Sequence, residues 1–561
     1  MKPTRGAYLL WLSDPYFDPL VRTELLAICG NEEAIDDRFG RELAFDTGGV
    51  RALTGAGTAR INRYTMRQAA AGLAAYVSRL GTEVAARGVV IGCDVRADSP
   101  TLALEAALTL CAAGIRVFLW GRVTTTPLLS FAVRELQAMC GMMVTASHNP
   151  PAYNGYKLLW EDGAQVDPQR AAEIAAAIRD VGDIRTVRPE GEKEARSVGL
   201  LLAVPPVIVR RYRERLLALA ERFRGGRGVR WRRRVAARVR VLYTPLYGAA
   251  AGVARQVLTD AGFQLAVVEE QAVSDPTFGG LLAPNPEEPA VYARALEQAT
   301  AFKPDLIVAT DPDGDRLGAM AWSGADYRQL SGNQVGALLT DYLLTRLAQQ
   351  GRLPRAGVVI KSVTSTNLVA ALCREHRVGL METEVGFRHI GARIRALEQH
   401  GTQEFLFGFE ESGGYLAATF LREKDGVMAA LLLADAAAYH KARGHNLWQA
   451  LDAIWRRCGY FLERQATLHL PGRAGGERMT EILARLAVEA PPLLGGIPVA
   501  AREEGNRQIR FRFADGGFAM VRPSGTEPKL KAYCSVRGDT HAEAEQKLTA
   551  LEADLLRRLG E

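Results

Sequence analysis

The chain has 561 residues, 48% hydrophobic and 24% charged, which suits roughly three to five packed domains and excludes both a lone small binding module and wholesale disorder. Its 70 Lys plus Arg against 63 Asp plus Glu leave +7 over that length, too mild a balance to demand nucleic acid. The 7 Cys, at positions 29, 93, 111, 140, 373, 458 and 534, form no C-x-x-C, so neither a disulfide framework nor a thiolate zinc site is expected.

Near the N-terminus stands only a short apolar run, Ala7 to Leu12, and no later run reaches the roughly 18 apolar residues needed to span a bilayer. A soluble, cytoplasmic protein without membrane contact is expected. From about Phe45 to Asp183, helix-like stretches such as Met66 to Leu80 alternate with short apolar runs, Val89 to Cys93, Val117 to Trp120 and Met142 to Thr145. This is α/β rhythm. After an arginine-rich stretch it restarts: a predicted strand at Val239 to Tyr243, a helix at Ala249 to Ala261 ending on Gly262, and a buried strand at Leu306 to Thr310. A third round runs from the helix-like Asn333 to Gln349 through Val358 to Ile360, Phe405 and Phe407 to an Ala/Leu-rich helix near Val427 to Tyr439. The tail differs. Ile509 to Phe513 alternates, Asp515-Gly516-Gly517 turns, Phe518 to Val521 returns, and Thr540-x-x-Glu543 reads as a capping box opening a final helix. The fold class expected is α/β: three consecutive mixed α/β domains over 1–200, 201–325 and 326–455, then a smaller C-terminal α+β domain over 456–561. No sequence repeat accompanies the repeated rhythm.

Four loops carry chemistry. Thr145-Ala146-Ser147-His148-Asn149-Pro150-Pro151 follows an apolar strand, and its prolines exclude helix and predict a surface turn displaying the Ser147 hydroxyl as a nucleophile. A Ser-His-Asp hydrolase is the rival, but the G-x-S-x-G elbow is missing and neighbours on an extended turn point apart. Taken alone, the segment reads equally as an ordinary polar turn. Asp311-Pro312-Asp313-Gly314-Asp315-Arg316 follows the strand Leu306 to Thr310, at the carboxyl end where open α/β sheets bind ligands, and extended geometry is expected to put all three Asp on one side. An EF-hand is excluded, because its sixth and twelfth positions hold Arg316 and Trp322. Three carboxylates on a short loop suit a hard cation such as Mg²⁺, against the plainer reading of a solvated acidic turn.

In Gly408-Phe409-Glu410-Glu411-Ser412-Gly413-Gly414, polar acceptors of the kind sugar hydroxyls need are flanked by glycines that allow close ligand approach, though alone it reads first as a Gly-rich turn. Arg522-Pro523-Ser524-Gly525-Thr526-Glu527-Pro528 offers a guanidinium, two hydroxyls and a glycine that can turn backbone N–H groups inward, an anion cradle to which Lys529 or Lys531, on one face of the next strand, adds charge. A structural turn between two strands is the competing reading.

In this order the four loops resemble those of the α-D-phosphohexomutase superfamily, the phosphoglucomutase and phosphomannomutase enzymes, over nearly the whole chain. Trp11-Leu12 to Phe17-Asp18, Phe45-Asp46-Thr47-Gly48-Gly49-Val50-Arg51 and Tyr243-Thr244-Pro245-Leu246-Tyr247-Gly248 resemble its longer bacterial branch, which is similar to phosphopentomutase-type enzymes. The resemblance implies four domains around a central cleft, each giving one loop. It implies a phosphoserine at Ser147 that shares a Mg²⁺ site with Asp311, Asp313 and Asp315, and a proton shuttle at His148 or Lys157. Arg51 and Arg316 are implied to brace the phosphoserine region, Glu410 and Ser412 to grip sugar hydroxyls, and Lys424 to contact ligand phosphate. The cradle of Arg522, Ser524, Gly525, Thr526 and Lys531 is implied to hold the phosphate that is not reacting. Arg388 stands where many relatives carry Lys, and Ala52 where they commonly carry Gly; a forked guanidinium in place of a point charge bears on sugar preference.

The activity implied is interconversion of hexose 1-phosphate and hexose 6-phosphate, of glucose and possibly mannose, through a sugar bisphosphate such as glucose 1,6-bisphosphate, with a phosphosugar as the only partner and the protein a monomer or homodimer. Phosphopentomutase activity on ribose phosphates is the alternative. Nucleic-acid binding is suggested only by the nine Arg between Arg222 and Arg240, which include Arg232-Arg233-Arg234 beside Trp231. No recognised motif or aromatic series accompanies them, and a solvated linker face is expected there.

Overall fold

Helices and sheets alternate through the computed structural model, which describes residues 3–46, 48–225, 235–470, 472–489, 491–505, 507–524 and 529–560. The apolar runs Val89–Cys93, Cys140–Val144 and Leu306–Thr310 each become a strand buried at every position, as strands covered on both faces do, whereas the run Ala7 to Leu12 lies in the helix Pro3–Ser13. Val89–Cys93, buried at every position, sits inside a six-stranded sheet with Val50–Leu53, Tyr153–Trp160 and Cys140–Val144 on one side and Val117–Leu119 and Leu201–Ala203 on the other. Val89 and Ile91 pack with Leu73, Val77, Leu102 and Ala106 on one layer of helices, while Val90 joins Leu129 and Phe131 on the other. That division follows from the two-residue period of a strand.

The same local topology then recurs twice. Cys140–Val144 pairs parallel with Val89–Cys93 and antiparallel with Tyr153–Trp160. Leu306–Thr310 pairs parallel with Arg240–Thr244 and antiparallel with Leu317–Trp322. Glu404–Glu410 pairs parallel with Gly357–Ser362 and antiparallel with Gly414–Leu416. In each sheet one chemistry-bearing loop is the tight antiparallel return at the carboxyl end of the parallel strand, so a repeat invisible in the sequence is plain in the topology. The first sheet closes with Leu201–Ala203 and the second with Tyr327–Leu330, so each takes in a strand from beyond the divisions drawn at 200 and 325.

The fourth sheet is antiparallel throughout, ordered Tyr460–His469, Lys529–Gly538, Phe518–Pro523, Gln508–Phe513, Ile497–Gly505 and Leu493–Leu494. The final helix His541–Leu559 covers it, with Leu548, Leu551 and Leu555 buried. Its start is half of the expected capping box. Thr540 accepts from the Glu543 N–H at 3.2 Å, but the Glu543 carboxylate turns to the Asp539 N–H at 2.9 Å.

The arginine-rich stretch is not simply a solvated linker. Its start belongs to the helix Val207–Arg224, and Arg224 is 1% exposed, its guanidinium donating to both Asp435 oxygens from Nε at 3.1 and 3.0 Å and from Nη2 at 2.7 Å. Asp435 lies on the Ala/Leu-rich helix Gly426–Lys441, so this ion pair stitches the second helical layer to the third unit. Arg227, Arg230 and Arg232 to Arg234 lie outside the described residues.

Candidate active site

Ser147 lies under the cleft, not on the surface. It is 1% exposed, and its backbone takes φ +52°, the left-handed region that a residue with a Cβ enters only when its surroundings hold it there. The prolines do exclude helix, but the loop is folded inward by polar contacts: the Ser147 N–H donates to the Thr145 hydroxyl at 2.8 Å, which itself donates to Asp94 Oδ2 at 2.6 Å. Ser147 Oγ then donates to Asp311 Oδ2 at 2.8 Å and stands 3.3 Å from His148 Nδ1. The side chains of Ser147 and His148 converge because the left-handed residue breaks the alternation that an extended turn imposes.

Nor do the three aspartates meet through extended geometry. Gly314 turns the loop at φ +68°, with its N–H on the Asp311 carbonyl at 2.9 Å; a Cβ there would stand 2.8 Å from Thr125 Cγ2. Asp311, Asp313 and Asp315 are 0%, 0% and 1% exposed, with ligand oxygens all within 4.8 Å of one another. Lys157, on the strand Tyr153–Trp160 of the first sheet, bridges Asp313 Oδ2 and Asp315 Oδ2 at 2.6 Å each. Lys424 approaches Asp315 Oδ2 at 3.0 Å, and the Thr126 hydroxyl donates to Asp313 Oδ2 at 2.6 Å.

The charge states follow from these contacts. Burial, then the Asp313 and Asp315 charges, push the Asp311 carboxyl well above its ordinary range. Burial also opposes ionisation of Asp313 and Asp315, but Lys157, joined at Asp315 by Lys424, outweighs it and holds both carboxyls low. Against its own burial, the two carboxylates raise the pKa of the Lys157 ammonium. Burial, then the Arg316 and Arg51 guanidinium groups, drive His148 well below its usual value. The donor set fits a divalent cation: Oδ1 of Asp313 and Oδ1 of Asp315 are buried with no hydrogen-bond partner, and carboxylate oxygens in a short loop are the ligands a hard ion prefers.

Above this floor opens a cleft of about 540 Å³ lined from all four sheets or the loops that join their strands. Arg51 Nη1 donates to Asn149 Oδ1 at 3.1 Å, tying it to the Ser147 loop. Arg316 donates its N–H to Asp311 Oδ1 at 3.0 Å and pairs with Glu287 at 3.4 Å. From the third unit come Arg388, Ser412 and Glu410, the last accepting the Gly386 N–H at 2.7 Å. From the fourth come Arg522, Ser524, Lys529 and Lys531, the two lysines sharing one strand face as their spacing requires. Gly525 and Thr526 lie outside the described residues. Sequence reasoning missed Thr126 and Glu287. Thr126 stands in a Thr124-Thr125-Thr126-Pro127 run that reads as a helix start, and Glu287 follows the turn Pro284-Asn285-Pro286; neither setting carries a chemical signal.

Comparison with known proteins matches residues 42–184, 222–324 and 331–458 to the alpha/beta/alpha domains I, II and III of phosphoglucomutase/phosphomannomutase. The phosphoglucomutase of Staphylococcus haemolyticus is 34% identical over 536 residues, 91% of this chain and 93% of that one. Among solved structures, a phosphoglucomutase/phosphomannomutase family protein from Burkholderia thailandensis shares the fold at TM-score 0.68 and 20% identity, covering 92% of this chain and 96% of its own. The N-acetylphosphoglucosamine mutase of Aspergillus fumigatus, solved with GlcNAc-6P and magnesium, does so at TM-score 0.51 and 12% identity, covering 100% and 99%.

Proposed function

This chain belongs to the phosphoglucomutase/phosphomannomutase family, and on that premise we propose that it interconverts glucose 1-phosphate and glucose 6-phosphate, and the mannose pair besides, through a phosphoserine at Ser147 and a sugar bisphosphate. It is by class an intramolecular phosphotransferase. The observation that carries the assignment is the contact of Ser147 Oγ with Asp311 Oδ2 at 2.8 Å, between residues 164 apart in the chain, beneath a cleft that also takes in Arg388, Arg522, Lys529 and Lys531. A buried hydroxyl against a carboxylate cluster, with cations gathered in the same cleft, fits a substrate that carries phosphate at either end.

Ser147, Asp311, Asp313 and Asp315 would hold Mg²⁺, which when bound neutralises charge on the transferring phosphoryl. Transfer then needs a proton path. As the bond from phosphorus to Ser147 Oγ breaks and one to a sugar hydroxyl forms, the hydroxyl proton passes to His148 and on to the freed Oγ, 3.3 Å from Nδ1. The bisphosphate turns over, its second phosphoryl returns to Ser147, and the proton retraces its path. Lys157, held between two carboxylates at 2.6 Å, keeps the floor charge-balanced. Arg51 and Arg316 brace the phosphorylated serine, Glu410 and Ser412 accept from sugar hydroxyls, and Arg388, Lys424, Arg522, Ser524 and Lys531 take the idle phosphate or orient the sugar. The free cysteines suit a reducing cytoplasm, and no helix among the described residues is long and apolar enough to cross a membrane.

The test is relative turnover of glucose, mannose and ribose 1-phosphates by one preparation, with Mg²⁺ and a trace of glucose 1,6-bisphosphate. Glucose 1-phosphate is expected to dominate; dominant ribose turnover overturns the sugar assignment. Ser147→Ala is expected to lose on the order of 10⁴-fold in turnover with its circular dichroism unchanged, and near-normal activity removes the phosphoserine.

A further inference from the structure

Just past the strand Val89–Cys93, Asp94 and Arg96 lie 0% and 2% exposed, although neither lines the cleft. Arginine carries five N–H donors in a fixed planar fork, and Arg96 uses its fork on one target. Nη2 donates to the Ser147 carbonyl at 2.7 Å and to the Asn149 carbonyl at 2.6 Å. Nη1 donates to the carbonyls of Pro150 and Tyr153 at 2.8 Å each. Nε donates to Asp94 Oδ2 at 3.2 Å, the same oxygen that receives the Thr145 hydroxyl at 2.6 Å. Since the Thr145 hydroxyl in turn accepts the Ser147 N–H, both peptide groups flanking the Ser147 Cα are tied into one buried Asp94–Arg96 unit.

The guanidinium's stacking partner comes from another sheet's surroundings. Arg96 Cζ lies 5.1 Å from the ring centroid of Phe278, which is 0% exposed and belongs to the segment leaving the second sheet. That segment is itself braced: Asp275 accepts the N–H groups of Thr277 and Gly279 at 2.8 and 2.9 Å, and Gly279, at φ +59°, lies so close to Tyr247 that a Cβ would stand 2.0 Å from its hydroxyl oxygen.

We infer that Arg96, stacked on Phe278, is a positioning residue that holds Ser147 in its left-handed conformation and so aims Oγ at Asp311. The inference rests on the reading of Ser147 as the phosphoryl carrier, and it adds that the aim of the nucleophile depends on docking of the second α/β unit, which supplies both Phe278 and Asp311. A left-handed non-glycine residue reverts to the right-handed or extended region once its carbonyl is released. Reversion swings Oγ off Asp311 while leaving in place the cleft walls of the third and fourth units, Arg388, Glu410, Arg522 and Lys531, which the proposed function gives to sugar and idle phosphate.

Arg96→Lys and Phe278→Leu test this. Lysine has three donors for five acceptors and no planar fork to stack; leucine keeps the apolar plug and removes the ring face. Arg96→Lys is expected to lower kcat about 100-fold, the scale of a misplacement near 1 Å, with KM for glucose 1-phosphate within about threefold of wild type because Arg388, Glu410, Arg522 and Lys531 in the third and fourth units make no contact with Arg96. Phe278→Leu, which guards against a poorly folded Arg96 variant, is expected to lower kcat about threefold to tenfold on the scale of one stacking contact, again with KM held. A KM that rises in step with the loss, or an unchanged kcat in both variants, overturns the inference. Crystal structures of both variants give a reading independent of turnover: Ser147 is expected to leave φ +52° in Arg96→Lys, and a serine that stays there in both variants overturns the clamp. Absence of wild-type mutase turnover would instead strike the phosphoserine reading, while the crystal structures still decide the clamp.

Discussion

Replacing Lys157 by Met removes an ammonium from between two buried carboxylates at nearly constant volume. In the metal-free protein Lys157 Nζ stands 2.6 Å from both Asp313 Oδ2 and Asp315 Oδ2, with its side chain 4% exposed and theirs 0% and 1%. Breaking a buried pair by removing one partner costs about 3–5 kcal/mol, because the remaining charge has neither water nor counter-ion. Two partners survive here, Lys424 at 3.0 Å from Asp315 and the Thr126 hydroxyl at 2.6 Å from Asp313, which puts the cost at the lower end, about 3 kcal/mol. A divalent cation on the same carboxylates offsets that loss. Urea denaturation of Lys157→Met is therefore expected to show a loss of about 3 kcal/mol in chelator that shrinks to under about 1 kcal/mol in saturating Mg²⁺. The same loss in both conditions would refute the argument that Lys157 and the cation neutralise the same charges.

Gly314→Ala is expected to weaken Mg²⁺ binding, measured by calorimetry, by about tenfold or more. A left-handed alanine costs about 1–2 kcal/mol, and its Cβ would press on Thr125 Cγ2 from 2.8 Å; unchanged affinity would mean that the loop's turn does not position the carboxylates. Asp425, which accepts from the N–H groups of Val427 and Met428 at 2.9 and 3.0 Å and from the Tyr212 hydroxyl at 2.7 Å, has its pKa pushed up to about 6 from 3.8 by burial. A raised folded pKa contributes stability below the unfolded value that is lost as pH rises through the folded one. Wild-type stability relative to Asp425→Asn is therefore expected to fall between about pH 4 and pH 6, and a difference that is flat across that window or rises with pH refutes the assignment.

Much of the fold was legible because burial on both faces of a strand writes itself as a continuous apolar run. Leu306–Thr310 and Val89–Cys93 occupy the spans their residues predict, and the helix Gly332–Gln349 begins one residue before its predicted start. The four loops were legible for the same local reason, since Pro, Gly and clustered polar residues interrupt apolar runs at strand ends. Three things were not. Ser147 is a non-glycine residue at positive φ, a conformation no local preference announces because Asp94 and Arg96, outside the loop, hold it through Thr145 and the Ser147 carbonyl. Arg224 reads as surface charge, yet it is buried by its pairing with Asp435, 211 positions away. Lys157 stands in the sequence only as one of two proton-shuttle candidates that the resemblance implies, and only the docking of the first and second sheets turns its ammonium toward Asp313 and Asp315. Periodicity and composition act over a few residues and so determined which segments are strands, helices and turns. Which of those segments share a cleft is decided by packing between sheets, where partners hundreds of residues apart compensate each other's buried charge.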